Sequence, residues 1–159
     1  MKALLLVVAL LFAAPATAAD ETITHDGGGV IFDYITKYVT WYNQRTDVRI
    51  EGECDSACTL VLVFIPIDHI CATRNAEFGF HSASTIYPGH PEIKPHYAPI
   101  MTAMMWELYN NVERLHRVLV KHHFAEPRNH PDFLMIDAQE IVKPCPPLVA
   151  AAPTAEPSK

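Results

Sequence analysis

Charge is scarce in this chain: 19% of its 159 residues are charged, and 12 basic residues face 18 acidic ones for a formal net charge of −6. That balance excludes a nucleic-acid surface built on basic patches. A hydrophobic share of 50% excludes a disordered polar chain and a charge-rich coiled coil. No apolar run reaches the roughly 20 residues of a membrane span without meeting a charge or a proline. Cysteine is limited to four positions, Cys54, Cys58, Cys71 and Cys145. Cys54 and Cys58 have no second close Cys or His pair after them, a poor match to a zinc site.

Lys2, an apolar run from Ala3 to Ala14, and small residues at Ala16, Ala18 and Ala19 form the pattern of a secretory signal peptide over residues 1–19. An even number of cysteines in an exported chain points to two disulfides, for which three pairings exist. The expected localisation is therefore exported and periplasmic, with no stable membrane span. Residues 20–145 have the length of one domain, and 146–159 read as a disordered tail rich in Pro and Ala.

Glu21 to His25 alternates like a strand and runs into Gly27, Gly28 and Gly29. Apolar residues then recur at three- and four-residue intervals from Val30 to Tyr42, predicting a helix over 30–44. Strand, glycine turn and helix open a βαβ unit. A strand at Asp47 to Glu51, a turn at Gly52 to Asp55, and a helix from Ser56 to Phe64 ended by Pro66 are expected next. Two short strands follow, His69 to Ala72 and Glu77 to His81. The stretch Ser82 to Pro99, with four prolines, reads as a loop able to form a lid or rim. A long amphipathic helix from about Ile100 to His123 would place Met101, Met104, Met105, Leu108, Val112, Leu115, Val118 and Leu119 on one face.

Ser56, at a strand-to-helix turn, would present its hydroxyl beside free backbone amides at a helix start, although a serine there also suits a plain cap. A serine is a weak nucleophile until a base takes its proton. His81 at a strand end is the right type of base. The histidines His116, His122, His123 and His130 do not make a metal-binding set. His116 and His123 lie two helical turns apart, while His122 and His123 point different ways. No metal and no cofactor are expected.

The order of GGG-V and helix, strand, G-x-C-x-S-A-C-T and apolar helix, I-C-A strand and F-G-F-H resembles the proteolytic subunit of Clp protease and its crotonase-like superfamily. It is more closely similar to exported ClpP-like proteins of bacteria, which carry the S-A-C-T and F-G-F-H words. The resemblance covers about Ile23 to Val142. It implies an α/β fold with a short crotonase-like βαβ core, truncated at the N-terminus by one βα unit, and a long helix in the C-terminal half. It also implies Ser56 as nucleophile and His81, 25 residues later, as base. Gly28, Gly29 and Ala57 would supply oxyanion-hole amides, and Asp132 the third triad member, with Asp137 as competitor. The missing unit would leave a sheet edge exposed or covered by a partner chain, and a large Clp-type ring is not implied.

Running the Ser56 to Phe64 helix antiparallel to the strand at 69–72 brings Cys58 opposite Cys71, leaving Cys54 for Cys145. The expected function is that of a periplasmic serine hydrolase, a peptidase or esterase acting on a peptide or small ester. The alternative is a non-catalytic exported binding or scaffold protein that keeps the core. Homo-oligomerisation stays open, and no nucleic-acid partner is expected.

Overall fold

In a computed structural model, residues 20–85, 94–124 and 130–147 are described. The expected signal peptide at 1–19, the centre of the proline-rich loop (86–93) and all but the start of the expected tail, from 148 onward, lie outside these residues. The chain forms β1 (Asp20–Asp26), α1 (Ile31–Gln44), β2 (Asp47–Asp55), a 3-10 turn (Ser56–Leu60) and α2 (Val61–Phe64). It continues through β3 (Ile70–Ala72), β4 (Glu77–Phe80), β5 (Ser84–Thr85), β6 (His96–Tyr97), α3 (Pro99–Asn110), α4 (Glu113–Lys121), β7 (Leu134–Asp137) and β8 (Lys143–Pro144). The class is mixed α/β.

β2 is the spine of the sheet. β1 runs parallel along one side of it. On the other side β3 pairs with its first half (Val48↔Ile70) and β4 with its last residues (Asp55↔Gly79), both parallel. β8 extends the sheet beside β3, and β7 lies antiparallel beside β4. Among the described residues β1 pairs with β2 alone, so its outer edge carries no strand. Buried Ile50, Leu60, Leu62, Ile70, Phe78, Phe80, Ile136 and Ile141 fill the space between the sheet and its helices. Tyr38, Leu115 and Leu119 are the fully buried anchors of α1 and α4. Burying such side chains contributes on the order of 1.5–3 kcal/mol each, which holds these short elements together.

Three boundaries differ from the sequence reading. The expected turn at Gly52 to Asp55 is strand. β2 carries one more residue than β1 between Ile50 and Glu53, and a Cβ at Gly52 would lie 1.9 Å from the Thr24 carbonyl oxygen. Gly52 therefore serves a bulge against β1 rather than a turn. The helix expected from Ser56 is a tight 3-10 turn followed by one α-helical turn at Val61–Phe64. The single long helix at 100–123 is two, broken at Asn111 and Val112. There the Asn111 side-chain amide donates to the Glu107 carbonyl (2.8 Å), Asn110 bonds His116 Nδ1 (2.7 Å), and Val112 is extended. Asparagine competes for backbone groups in this way and is a poor helix interior residue.

The disulfide pairing is also corrected: Cys54 joins Cys58 and Cys71 joins Cys145. Cys71 stands opposite Arg49, five residues before Cys54 on β2, or about 16 Å at strand rise. The helix assumed to bring Cys58 back along β3 does not do so. Instead the chain reverses at Ser56 and sets Cys54 and Cys58 with Cα atoms 5.3 Å apart. β8, beside β3, brings Cys145 to Cys71. Two disulfides fit an oxidising environment of the kind met by exported proteins. Among the described residues no helix is long and apolar enough to cross a membrane.

The Cys71–Cys145 bond spans 74 residues and Cys54–Cys58 only four. Replacing Cys71 and Cys145 with alanine is expected to lower the unfolding free energy by roughly 2–4 kcal/mol in urea titrations. Non-reducing peptide mapping should recover Cys54 and Cys58 linked within one short segment. A peptide linking Cys58 to Cys71 would contradict this pairing.

Candidate active site

The site lies where β2 and β4 end together. Because the two strands are parallel with Asp55 opposite Gly79, the residues just beyond them, Ser56 and His81, emerge at the same edge of the sheet. The Ser56 hydroxyl lies 2.7 Å from His81 Nε2. Ser56 is half-buried and sits at φ 56°, in the left-handed region that an ordinary side chain enters only under constraint. Asp55 before it is extended and the 3-10 turn begins at once, so the serine occupies a sharp strand-to-helix elbow.

Contacts behind the elbow keep it bent. Thr59 Oγ1 donates to the Ser56 carbonyl (2.6 Å) and lies 2.7 Å from the buried Tyr109 hydroxyl. Since Thr59 has one proton and gives it to Ser56, Tyr109 is the donor in that second bond. Burial pushes the Tyr109 phenol well above its ordinary value, so it stays protonated for that role.

An aromatic ring lies against His81. β7 pairs antiparallel with β4 as far as Phe80↔Leu134, and the next position on each strand sets Phe133 beside His81, ring centroids 4.4 Å apart at 36°. For Nε2 to accept from Ser56, the imidazole proton must sit on Nδ1. Among the described residues no carboxylate bonds that nitrogen. Asp132 is exposed and makes no bond to His81. Asp137 sits opposite Glu77 at the far end of β4, where its carboxylate caps the turn at Gln139 N (2.8 Å). The structure thus brings Ser56 and His81 together as a dyad and leaves both aspartates outside it. Burial holds the His81 imidazolium below the usual histidine pKa, which keeps the ring neutral and basic near pH 7.

The glycine run passes directly over the serine. Gly28 has φ 79°, and a Cβ there would lie 2.6 Å from both Ser56 Cβ and the Asp55 carbonyl oxygen and 2.9 Å from Ala57 N. Its own N–H donates to Asp26 Oδ1 (3.0 Å), so Gly28 supplies clearance, and its amide is already engaged. The Gly29 N–H has no partner among the described residues, and Ala57 lies in the first turn of its helix, where amides lack intrahelical acceptors. Of the three amides, those of Gly29 and Ala57 are therefore the ones not engaged by Asp26. Asp26 holds the loop in place, accepting also from the Tyr34 hydroxyl and pairing with Lys37 Nζ at 3.5 Å.

Around the dyad opens a cleft of about 410 Å³. Its walls include Val30, Ile31, Phe32, Met101 and Phe133, and His81 is the sole titratable side chain among its described lining residues. No group of three His, Cys, Asp or Glu side chains among the described residues is arranged to hold a metal. His122 instead bonds Glu140 at 3.2 Å.

Asp26 and Phe133 were missed by sequence reasoning. For Asp26 a signal existed, because an aspartate two residues before a glycine commonly accepts from that backbone amide. Phe133 left none, since its place beside His81 depends on antiparallel register between strands, with 52 residues of chain separating the two side chains.

Gly28→Ala is expected to cost roughly 1–3 kcal/mol in thermal or urea unfolding, from the positive φ and the clash together. An alanine variant with full stability would contradict the close approach. No protein-family model matches this sequence, and no curated protein matches it either.

Proposed function

We propose that this protein is a serine hydrolase of the ClpP and crotonase-like type, acting as a peptidase or esterase in the periplasm. The observation that carries the reading is the 2.7 Å contact between Ser56 Oγ and His81 Nε2 at a strained elbow. Parallel βαβ connections and a nucleophile turn beneath a glycine loop support the fold assignment, as do the S-A-C-T and F-G-F-H words. The two disulfides support an exported location.

In the proposed reaction His81 Nε2 takes the Ser56 proton as Oγ attacks a substrate carbonyl. The carbonyl oxygen becomes an oxyanion and accepts from the Gly29 and Ala57 amides. His81 then passes its proton to the departing amine or alcohol, leaving an acyl-Ser56. Water, deprotonated by His81, attacks that ester, and the proton returns to Ser56 as the acid leaves. Phe133 holds the imidazole plane where a triad would use a carboxylate. A second reading, a non-catalytic binding protein, is favoured by the lack of a carboxylate on His81 Nδ1 among the described residues.

A fluorophosphonate probe is expected to label the oxidised mature protein. Ser56→Ala should abolish labelling, His81→Ala should slow it by at least about 100-fold, and Asp132→Asn should leave it unchanged. Absence of labelling in a folded wild type would favour the binding protein. Because the base must be neutral, the labelling rate should rise with pH and level off. Burial lowers the His81 pKa, so the half-maximal rate should fall below pH 6.5. A midpoint above that value would contradict the burial argument.

A further inference from the structure

Cys54 and Cys58 bracket Ser56 in the segment C-D-S-A-C, and their disulfide closes the smallest loop in the protein around the proposed nucleophile. Both cysteines are fully buried, so the bond is sealed beneath the elbow rather than placed for exchange with solvent thiols. Inside the loop Ser56 adopts φ 56°, a conformation that persists only when the surroundings over-determine it. On one flank Cys54 is fixed in the sheet opposite Asp26 and Phe78. On the other, the Cys58 carbonyl accepts from the Tyr38 hydroxyl at 2.9 Å, and Cys58 Sγ lies 3.7 Å from the same oxygen. Tyr38 is wholly buried in α1, so the second anchor of the loop is bolted to the helix that follows the glycine run.

We infer that the Cys54–Cys58 disulfide, with Tyr38, is a positioning device that holds Ser56 in its reactive backbone conformation. The inference rests on the serine hydrolase reading. A five-residue ring tied at both ends removes the freedom with which a serine would otherwise relax to negative φ. Relaxation would turn Oγ away from His81 Nε2 and displace the Ala57 amide from the Gly29 amide. The Cys71–Cys145 bond, at the opposite end of β2, has the larger share in fold stability and no contact with the dyad. The two bonds therefore divide between positioning and stability.

The test is fluorophosphonate inactivation of the oxidised mature protein, with the maximal inactivation rate separated from the probe affinity by varying probe concentration. Cys54→Ala/Cys58→Ala should reduce the maximal rate about tenfold or more with affinity little changed, as a displacement near 1 Å would do. Cys71→Ala/Cys145→Ala, compared at a temperature where circular dichroism shows each protein folded, should keep the wild-type rate despite its lower melting temperature. Tyr38→Phe, which retains the ring and deletes only the hydroxyl, should slow the maximal rate by a smaller factor. It decides the matter if the double alanine variant does not fold. A wild-type rate in Cys54→Ala/Cys58→Ala, or in Tyr38→Phe where that variant decides, overturns the inference and leaves the hydrolase reading standing. Equal slowing in both cysteine pairs reduces the role to general stability and also overturns it. A wild type that does not react overturns the hydrolase reading, and the inference with it.

Discussion

The parallel register that sets Asp55 opposite Gly79 governs the geometry of the candidate site. β2 ends opposite the next-to-last residue of β4, so the residue just past each strand can meet the other across a gap of 2.7 Å although 25 residues of chain separate them. Shifting that register by one residue would turn alternate side chains to the other face of the sheet and part the pair. The Asp55 side chain lies directly against Gly79, with Oδ1 2.2 Å from where a Cβ there would stand. The antiparallel register of β7 against the same strand then delivers Phe133 to His81. One strand of four residues thus lines up the proposed nucleophile, the proposed base and the ring that lies against that base.

Around that alignment the rest of the structure keeps the elbow bent. Asp26 fixes the glycine loop above Ser56, Thr59 and Tyr109 hold its carbonyl from behind, and the Cys54–Cys58 ring closes over its flanks. Thr59 and Tyr109 tie α3 to the turn and the Cys54–Cys58 bond ties the end of β2 to it, while Asp26, at the end of β1, acts on the glycine loop above. A left-handed serine is a local cost, and such a conformation persists where the surrounding structure over-determines it.

Much of this was legible in the sequence because it is local. The strand, glycine run and helix of 20–44 follow from periodicity, and the pairing of Ser56 with His81 follows from motif words whose spacing reflects two strands and one crossover. What the sequence hid was long-range or competitive. Gly52 looks like a turn residue until β1 is laid beside it and its missing Cβ makes room for the Thr24 carbonyl. The helix break at Asn111 is hidden because apolar residues keep helical spacing across it, while the asparagine amide withdraws a backbone carbonyl. Disulfide pairing failed because it depends on where the chain reverses, and the reversal occurs at Ser56 itself rather than after a full helix. The Asp132 assignment leaned on order along the chain, whereas the structure leaves that side chain exposed and without a bond to His81.

The central claim is a covalent acyl-enzyme on Ser56. Its most direct measurement is mass spectrometry of the mature, oxidised protein acid-quenched during turnover of a p-nitrophenyl ester of a short fatty acid, followed by peptide mapping. The expected result is one acyl group on the peptide that contains Ser56, absent from Ser56→Ala. Ester cleavage at an undiminished rate in Ser56→Ala, or an acyl group carried by another residue, would contradict it.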